Sequence, residues 1–283
     1  MKDGNFNNWL NIGASVIGNG HITNGTPCQD AHFTSPLNQN WGIAVVSDGA
    51  GSHENSHLGS AFVVKDAAQV FTELLKGEKW IEEISFPSAS DWRDIAITGF
   101  SFVYDNLKSY AKSENVDFRS LSCTIILAIY CEKGMVTAHI GDGRAAIMNE
   151  SGQWQSVMSP FKGEEVGSTV FLPSAYTWEE PSCCIETRVF SKPIRAFALL
   201  TDGLETYSFY CYMKRENEEF YYDPNEPYSE FFNQNIAGIK NMHKNGLERT
   251  EIEEKFSGYL SSGHPQIAKE NDDKTMLIGV LIS

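Results

Sequence analysis

The stretch GIAVVSDGAGSHENSHLGSAFVV, residues 42–64, decides how this chain is read. Its first six residues, Gly42 to Ser47, are small, apolar and β-branched, as in a buried strand. Asp48-Gly49 ends that run with a turn dipeptide. From Ser56 onward, Leu58, Ala61, Phe62, Val64, Ala68, Phe71 and Leu75 recur about a turn apart, which predicts a helix over 56–75. A rigid strand therefore delivers an acidic side chain to a fixed point, and an amphipathic helix follows it.

Further along, Ile95, Phe102, Val103, Leu107 and Tyr110 predict a second helix over Trp92–Ala111. Strand-like runs then follow at Ser122–Tyr130, Val136–Ile140, Ala145–Met148, Ala196–Thr201 and Thr275–Ile282. The order is strands, two helices, then strands, without the strict alternation of a parallel doubly wound sheet. It implies an α+β protein with antiparallel sheet and segregated helices. Asn149–Glu180 reads as a long polar connection, with Trp154 and Tyr176 either lining a flap or simply packed. Tyr207–Ser262 is partly helical, and its charged clusters Lys214–Glu219 and Glu248–Lys255 read as solvated helix faces. No repeat or linker divides the 283 residues. They are expected to form one domain, 1–283, with a helical insertion at about 207–262.

The formal net charge is −15, which argues against nucleic acid or an anionic membrane as a partner. No run approaches the roughly 18 apolar residues of a membrane helix. Met1–Leu10 is polar and unlike a secretion signal, so a cytoplasmic location is expected. The six cysteines include no C-x-x-C pair and are expected to be reduced. There is no G-x-x-x-x-G-K-[ST] loop and no G-x-S-x-G elbow, and GAGS at Gly49–Ser52 is too short for a dinucleotide fingerprint.

The chemistry lies in a repeated pattern: an apolar strand, Ser or Thr, then Asp-Gly. It occurs as VVSDGAG at Asp48, as ALLTDGL at Asp202 and, more weakly, as AHIGDGR at Asp142. Asp272-Asp273 opens the last apolar run, and Asp30 opens an earlier one. A strand end holds an Asp rigidly, and a following Gly leaves room for a backbone carbonyl to approach an ion. Converging carboxylates repel unless cations neutralise them, and oxygen donors suit Mg²⁺, Mn²⁺ or Ca²⁺. Any single Asp-Gly is ordinarily just a turn. Spacing alone does not establish that these sites converge.

Six motifs in order carry a resemblance. They are GTPCQDAHF around Asp30, VVSDGAGSHENSHLGS around Asp48, LSCT at Leu121–Thr124, HIGDGRAAI around Asp142, LLTDGL around Asp202 and NDDKTMLIGVLI around Asp272. From about Ser15 to Leu281 the chain resembles the PPM (protein phosphatase 2C-like) family, and its bacterial branch more than its eukaryotic one. The resemblance implies a four-layer α/β/β/α sandwich of two antiparallel sheets flanked by helices, with metals at one edge. By matching position, Asp48 is expected to bridge two Mg²⁺ or Mn²⁺ ions. The Gly49 carbonyl would bind one of them, and Asp202 and Asp272 the other. Asp30 would hold a water beside them, and Asp142 would belong to a weaker third site. The implied activity is hydrolysis of phosphoserine and phosphothreonine in proteins, opposing a Ser/Thr kinase, by water activated between two cations.

The chain departs from the family pattern in several places. Gly25 stands where many members have a phosphate-gripping Arg, and His21 is the nearby substitute. The acidic pair is Gln29-Asp30, and Ala50 replaces a family His, leaving His53 and His57 as candidate proton donors. Thr206, beside Glu205, replaces an Asp of the third metal site. Arg144 matches an Arg of structural role. Two alternatives stand beside the phosphatase: an inactive relative that binds phosphoproteins, and a phosphatase of small metabolites.

Overall fold

The computed structural model describes residues 8–161, 169–215 and 221–282. Its framework is two five-stranded antiparallel sheets. The first contains β1 (Trp9–Val16), β6 (Arg144–Asn149), β7 (Trp154–Ser156), β9 (Ile194–Leu200) and β14 (Lys274–Leu281), in the order β1-β14-β9-β6-β7. The second contains β2 (Ala31–Pro36), β3 (Gly42–Ser47), β4 (Ile125–Cys131), β5 (Gly134–Ile140) and β8 (Glu186–Phe190), in the order β2-β3-β4-β5-β8. Four two-residue strands form small ribbons: β10 (Phe209–Tyr210) with β13 (Glu226–Pro227), and β11 (Met213–Lys214) with β12 (Tyr221–Tyr222).

Three buried clusters define four layers. Between the sheets, Ala44, Val46, Ile126, Ala128 and Tyr130 meet Ala145, Ile147, Phe197, Leu199 and Leu277. Their alternate neighbours Ile43, Val45, Ile125, Leu127 and Ile129 face outward, against Val63, Ala67 and Phe71 of helix Ser56–Leu74 and Phe100, Val103 and Leu107 of helix Ala89–Glu114. Period-two alternation thus buries both faces of β3 and β4, which is why they read as unbroken apolar runs. On the other side, Ala196, Ala198 and Leu200 pack under Phe231, Phe232, Ile236, Ile252 and Phe256. These residues belong to the helices Ser229–Lys244 and Arg249–Gly258.

The segment 207–262 therefore contributes the fourth layer of the sandwich. Glu248–Lys255 falls at the start of a helix with a reciprocal cap between Glu248 and Glu251. Lys214 lies in a ribbon strand and not on a helix, and 216–220 fall outside the described residues. The connection Asn149–Glu180 also differs from its reading as irregular chain. Trp154–Ser156 forms edge strand β7, because Trp154 is buried, stacks on Phe232 at 4.5 Å and donates Nε1–H to Asn233 Oδ1 at 3.0 Å. Tyr176 is half exposed, and 162–168 lie outside the described residues. Among the described residues no helix is long and apolar enough to cross a membrane.

Candidate metal centre

Antiparallel register explains how aspartates far apart in sequence meet. β2 pairs with β3 so that Ala31 lies opposite Ser47, which sets Asp30 and Asp48 at the same end of that pair. Leu200 of β9 lies opposite both Met276 of β14 and Arg144 of β6. The end of β9 and the starts of β6 and β14 therefore share one edge, and Asp202, Asp142 and Asp272 flank them. One carboxylate oxygen from each of Asp48, Asp142 and Asp202 lies within 4.8 Å of the others.

The Asp48 corner is fixed by the LSCT motif. Asp48 N–H donates to Thr124 Oγ1 at 3.0 Å, and Thr124 N–H donates back to the Asp48 carbonyl at 2.8 Å. Ala50 N–H donates to the Ser122 carbonyl at 2.9 Å, and Gly49 N–H to the Gln29 carbonyl at 3.1 Å. Gly49 is required by space: a Cβ there would sit 2.6 Å from the Gln29 carbonyl oxygen and 2.9 Å from the Ser56 backbone. Gln29, the amide in place of a carboxylate, donates Nε2–H to the His53 carbonyl at 3.3 Å, a bond no carboxylate could make.

The electrostatics are those of an uncompensated anionic cluster. Burial holds the Asp48 carboxyl well above its ordinary range, and Asp202, Asp30, Asp272 and Asp142 push it further. Asp202 is raised by burial and then by Asp142, Asp272 and Asp30. Asp30 is pushed up to about 7, mainly by burial, although Thr201 Oγ1 donates to its Oδ2 at 2.7 Å and opposes the rise. Asp30 Oδ1 and Asp202 Oδ1 are buried without a hydrogen-bond partner. Buried acceptors that repel one another and lack donors are a ligand set for a hard cation. The donors fit Mg²⁺ or Mn²⁺: all are oxygens, and no Cys or His stands among the three grouped side chains.

Asp142, expected at a weaker third position, belongs to the tightest group. Asp272 is exposed; its charge reaches Asp48, Asp202 and Asp30, yet it is not one of the three. Its neighbour Asp273 is buried and points the other way. Asp273 accepts Gly18 N–H at 2.7 Å on Oδ1 and Gln29 N–H at 2.5 Å on Oδ2. Asp273 thus ties the 18–29 segment to the start of β14. This role was missed, although the Asp-Asp doublet at a strand start signals it, because adjacent residues there face opposite ways.

His21 lies in the short helix Asn19–Asn24, with Nδ1 2.9 Å from Asp273 Oδ2. Its Nε2 faces Gly51, 4.0 Å from where a Cβ would stand there. Gly25 ends that helix in the left-handed conformation at φ 69°, a position suited to glycine and not to a gripping Arg. His53 Nδ1 is 3.0 Å from Ser52 Oγ, and His57 Nδ1 is buried without a partner. Arg144 is fully buried: Nη2 lies 2.7 Å from both Glu205 Oε2 and Asp223 Oδ2, and Nη1 donates to Asn225 Oδ1 at 2.7 Å. Glu205 is thereby engaged inside the protein and not turned to the aspartates.

A helix-flanked antiparallel sandwich with half-buried carboxylates converging at one edge is an architecture suited to metal-dependent hydrolysis. The family model described as "Protein phosphatase 2C" matches residues 17–249, and the chain belongs to that family. It is similar to Serine/threonine-protein phosphatase 3 of Escherichia coli (strain K12), with 24% identity over 278 residues, 96% of this chain and 98% of that one. Among solved structures, Serine/threonine phosphatase Stp1 from Staphylococcus aureus has a TM-score of 0.56 at 18% identity, covering 99% of this chain and 98% of its own. A bacterial serine phosphatase has a TM-score of 0.56 at 19% identity, covering 96% and 97%.

Proposed function

We propose that this chain, as one catalytic domain, is a metal-dependent Ser/Thr protein phosphatase that hydrolyses phosphoserine and phosphothreonine in proteins, opposing a Ser/Thr kinase. The observation that carries the reading is the group of Asp48, Asp142 and Asp202, with carboxylate oxygens within 4.8 Å, in a member of the protein phosphatase 2C family. The similarity to a Ser/Thr phosphatase over 96% of the chain supports the substrate class.

In this reading Asp48, the Gly49 carbonyl, Asp202 and Asp272 would hold two Mg²⁺ or Mn²⁺ ions, and Asp142 would supply a further oxygen to that pair or to a third ion. When bound, the cations neutralise charge on the transferring phosphoryl group and make water nucleophilic near neutral pH. The chain's own groups do the rest. Asp30, oriented by Thr201 Oγ1, accepts a proton from the attacking water through its partnerless Oδ1. His21, whose Nδ1 lies 2.9 Å from Asp273 Oδ2 without a hydrogen bond between them, would present Nε2 to the phosphate in place of the missing Arg.

The test is phosphate release from a phosphothreonine peptide with Mn²⁺, with Mg²⁺ and with chelator, alongside Asp202→Asn. Turnover that needs metal and disappears with the substitution is the expected result. Folded protein that releases no phosphate with either metal would overturn the reading.

A further inference from the structure

A cavity of about 460 Å³ is lined by Thr206, just after Asp202 in the chain, and by residues of the helical layer. Its walls carry Tyr207, Tyr210, Tyr228, Phe231 and Tyr259, and the one carboxylate among its lining residues is Glu230. Among the described lining residues there is no Lys or Arg, and His264 supplies the one imidazole. Tyr210 and Tyr228 meet edge to face at 5.5 Å and are 41% and 37% exposed, so their rings are open to a visitor. Burial raises the Tyr210 phenol first, and the neighbouring Glu230, Tyr228 and Glu226 add to the rise. Aromatic faces combined with a carboxylate, and without a Lys or Arg among the described lining residues, suit an organic cation.

The cavity is joined to the metal centre by a single side chain. Tyr207 donates its hydroxyl to Glu270 Oε2 at 2.8 Å, and Glu270 Oε1 accepts the backbone N–H of Asn271 at 2.8 Å and of Asp272 at 3.3 Å. Thr206, also on the wall, is four residues beyond Asp202, so their Cα atoms are at most about 14 Å apart. An extended peptide advances about 3.3 Å per residue. The cavity wall thus begins within about 14 Å of Asp202, about the span of four residues of extended peptide.

We propose that this aromatic and acidic cavity binds an arginine or lysine side chain of the phosphoprotein substrate, within about four residues of the phosphorylated one. The inference rests on the phosphatase reading and deepens it, by naming a class of sequence that the site prefers. The net charge of −15 acts in the same direction, since an acidic surface attracts a basic segment.

The test compares phosphothreonine peptides that carry arginine at each position within four of the phosphothreonine with the same peptides carrying neutral, isosteric citrulline. p-Nitrophenyl phosphate serves as a substrate with no cation. The expected result is a KM about three- to tenfold lower for arginine at one or more positions. In Glu230→Gln and in Tyr210→Ala that ratio should fall towards one, with p-nitrophenyl phosphate turnover unchanged. Equal values for arginine and citrulline at every position, or a ratio that both variants leave intact, would overturn the proposal.

A second measurement does not depend on turnover. An unphosphorylated arginine peptide is titrated calorimetrically into wild type and Glu230→Gln. Binding that weakens by the same factor in the variant supports the cavity even in a chain that releases no phosphate, in which case the phosphatase reading alone fails. Turnover without arginine preference, together with no difference in the titration, sinks the cavity and leaves the phosphatase reading standing.

Discussion

Two groups of charged side chains sit within a few residues of each other, and they are built on opposite principles. Asp142 and Asp202 join Asp48 in a half-buried cluster of one sign. Arg144, two residues after Asp142, and Glu205, three after Asp202, join Asp223 and Asn225 in one that is balanced in that every charge meets an opposite one, with two acids sharing the Arg. In the balanced group every charge has a partner at hydrogen-bond distance, and the Arg ties the ribbon region around 223–225 to the start of β6. In the unbalanced group the acids raise one another's pKa and leave buried oxygens without donors. Pairing of opposite charges, more than burial, separates a structural ion network from a ligand site. The first satisfies itself; the second leaves Asp30 Oδ1 and Asp202 Oδ1 open to a ligand of opposite sign.

The largest effect should come from the unbalanced group. Asp48→Asn or Asp202→Asn is expected to lower phosphatase turnover by two to three orders of magnitude or more, while metal-free protein melts at a higher temperature than wild type because a repulsion has been removed. Lower activity together with a lower melting temperature would show that the aspartates hold the fold as the Arg144 group does.

Next in size is Arg144→Met. It leaves Glu205 and Asp223 without their cation and should cost about 3–5 kcal/mol in urea unfolding. A variant as stable as wild type would remove the distinction between the two groups. The third effect concerns metal directly. Mn²⁺ at a hundred times its dissociation constant should stabilise the protein by about 2.7 kcal/mol, chelator should reverse this, and Asp202→Asn should abolish it. Equal stabilisation in the Asn variant would place the ion elsewhere.

The smallest effect is a pH dependence. Asp30 has an ordinary value of 3.8 and is raised to about 7 in the fold, so the folded chain holds this proton more tightly than the unfolded one. The stability of metal-free protein should therefore fall as pH rises between about 4 and 7, with the penalty complete above that window. His139 acts in the opposite sense. Burial lowers it from 6.5 to about 4, so its contribution is lost as pH falls through that range. Asp30→Asn should flatten the decline between pH 5 and 7 by a few degrees of melting temperature. An unchanged profile would mean that Asp30 does not carry the proton.

The comparison also marks what was legible beforehand. β3, β4, β9 and β14 were plain because both faces of each are buried, which demands continuous apolar sequence. The Asp-Gly corners were plain for the same reason, since a polar residue ending such a run stands out. Edge strand β7 was not legible: three residues anchored by Trp154 on Phe232 leave no periodic trace. Nor could the fourth layer be assigned from 207–262, because an amphipathic helix does not name the face it covers. The structural part of Asp273 was not legible either, since its hydrogen bonds go to Gly18 and Gln29, more than 200 residues away.

By itself the sequence determined the local elements, the acidic residues at their ends and, through the order of its motifs, the family. Those properties depend on residue type and short-range periodicity. The tertiary structure decided which acids meet: Asp142 within the tight group, Asp272 at its exposed margin, and Asp273 turned inward beside His21. It also placed an aromatic cavity one side chain away from the metal centre. Strand register and sheet order bring those residues together, and both are set by contacts between segments that no local pattern encodes.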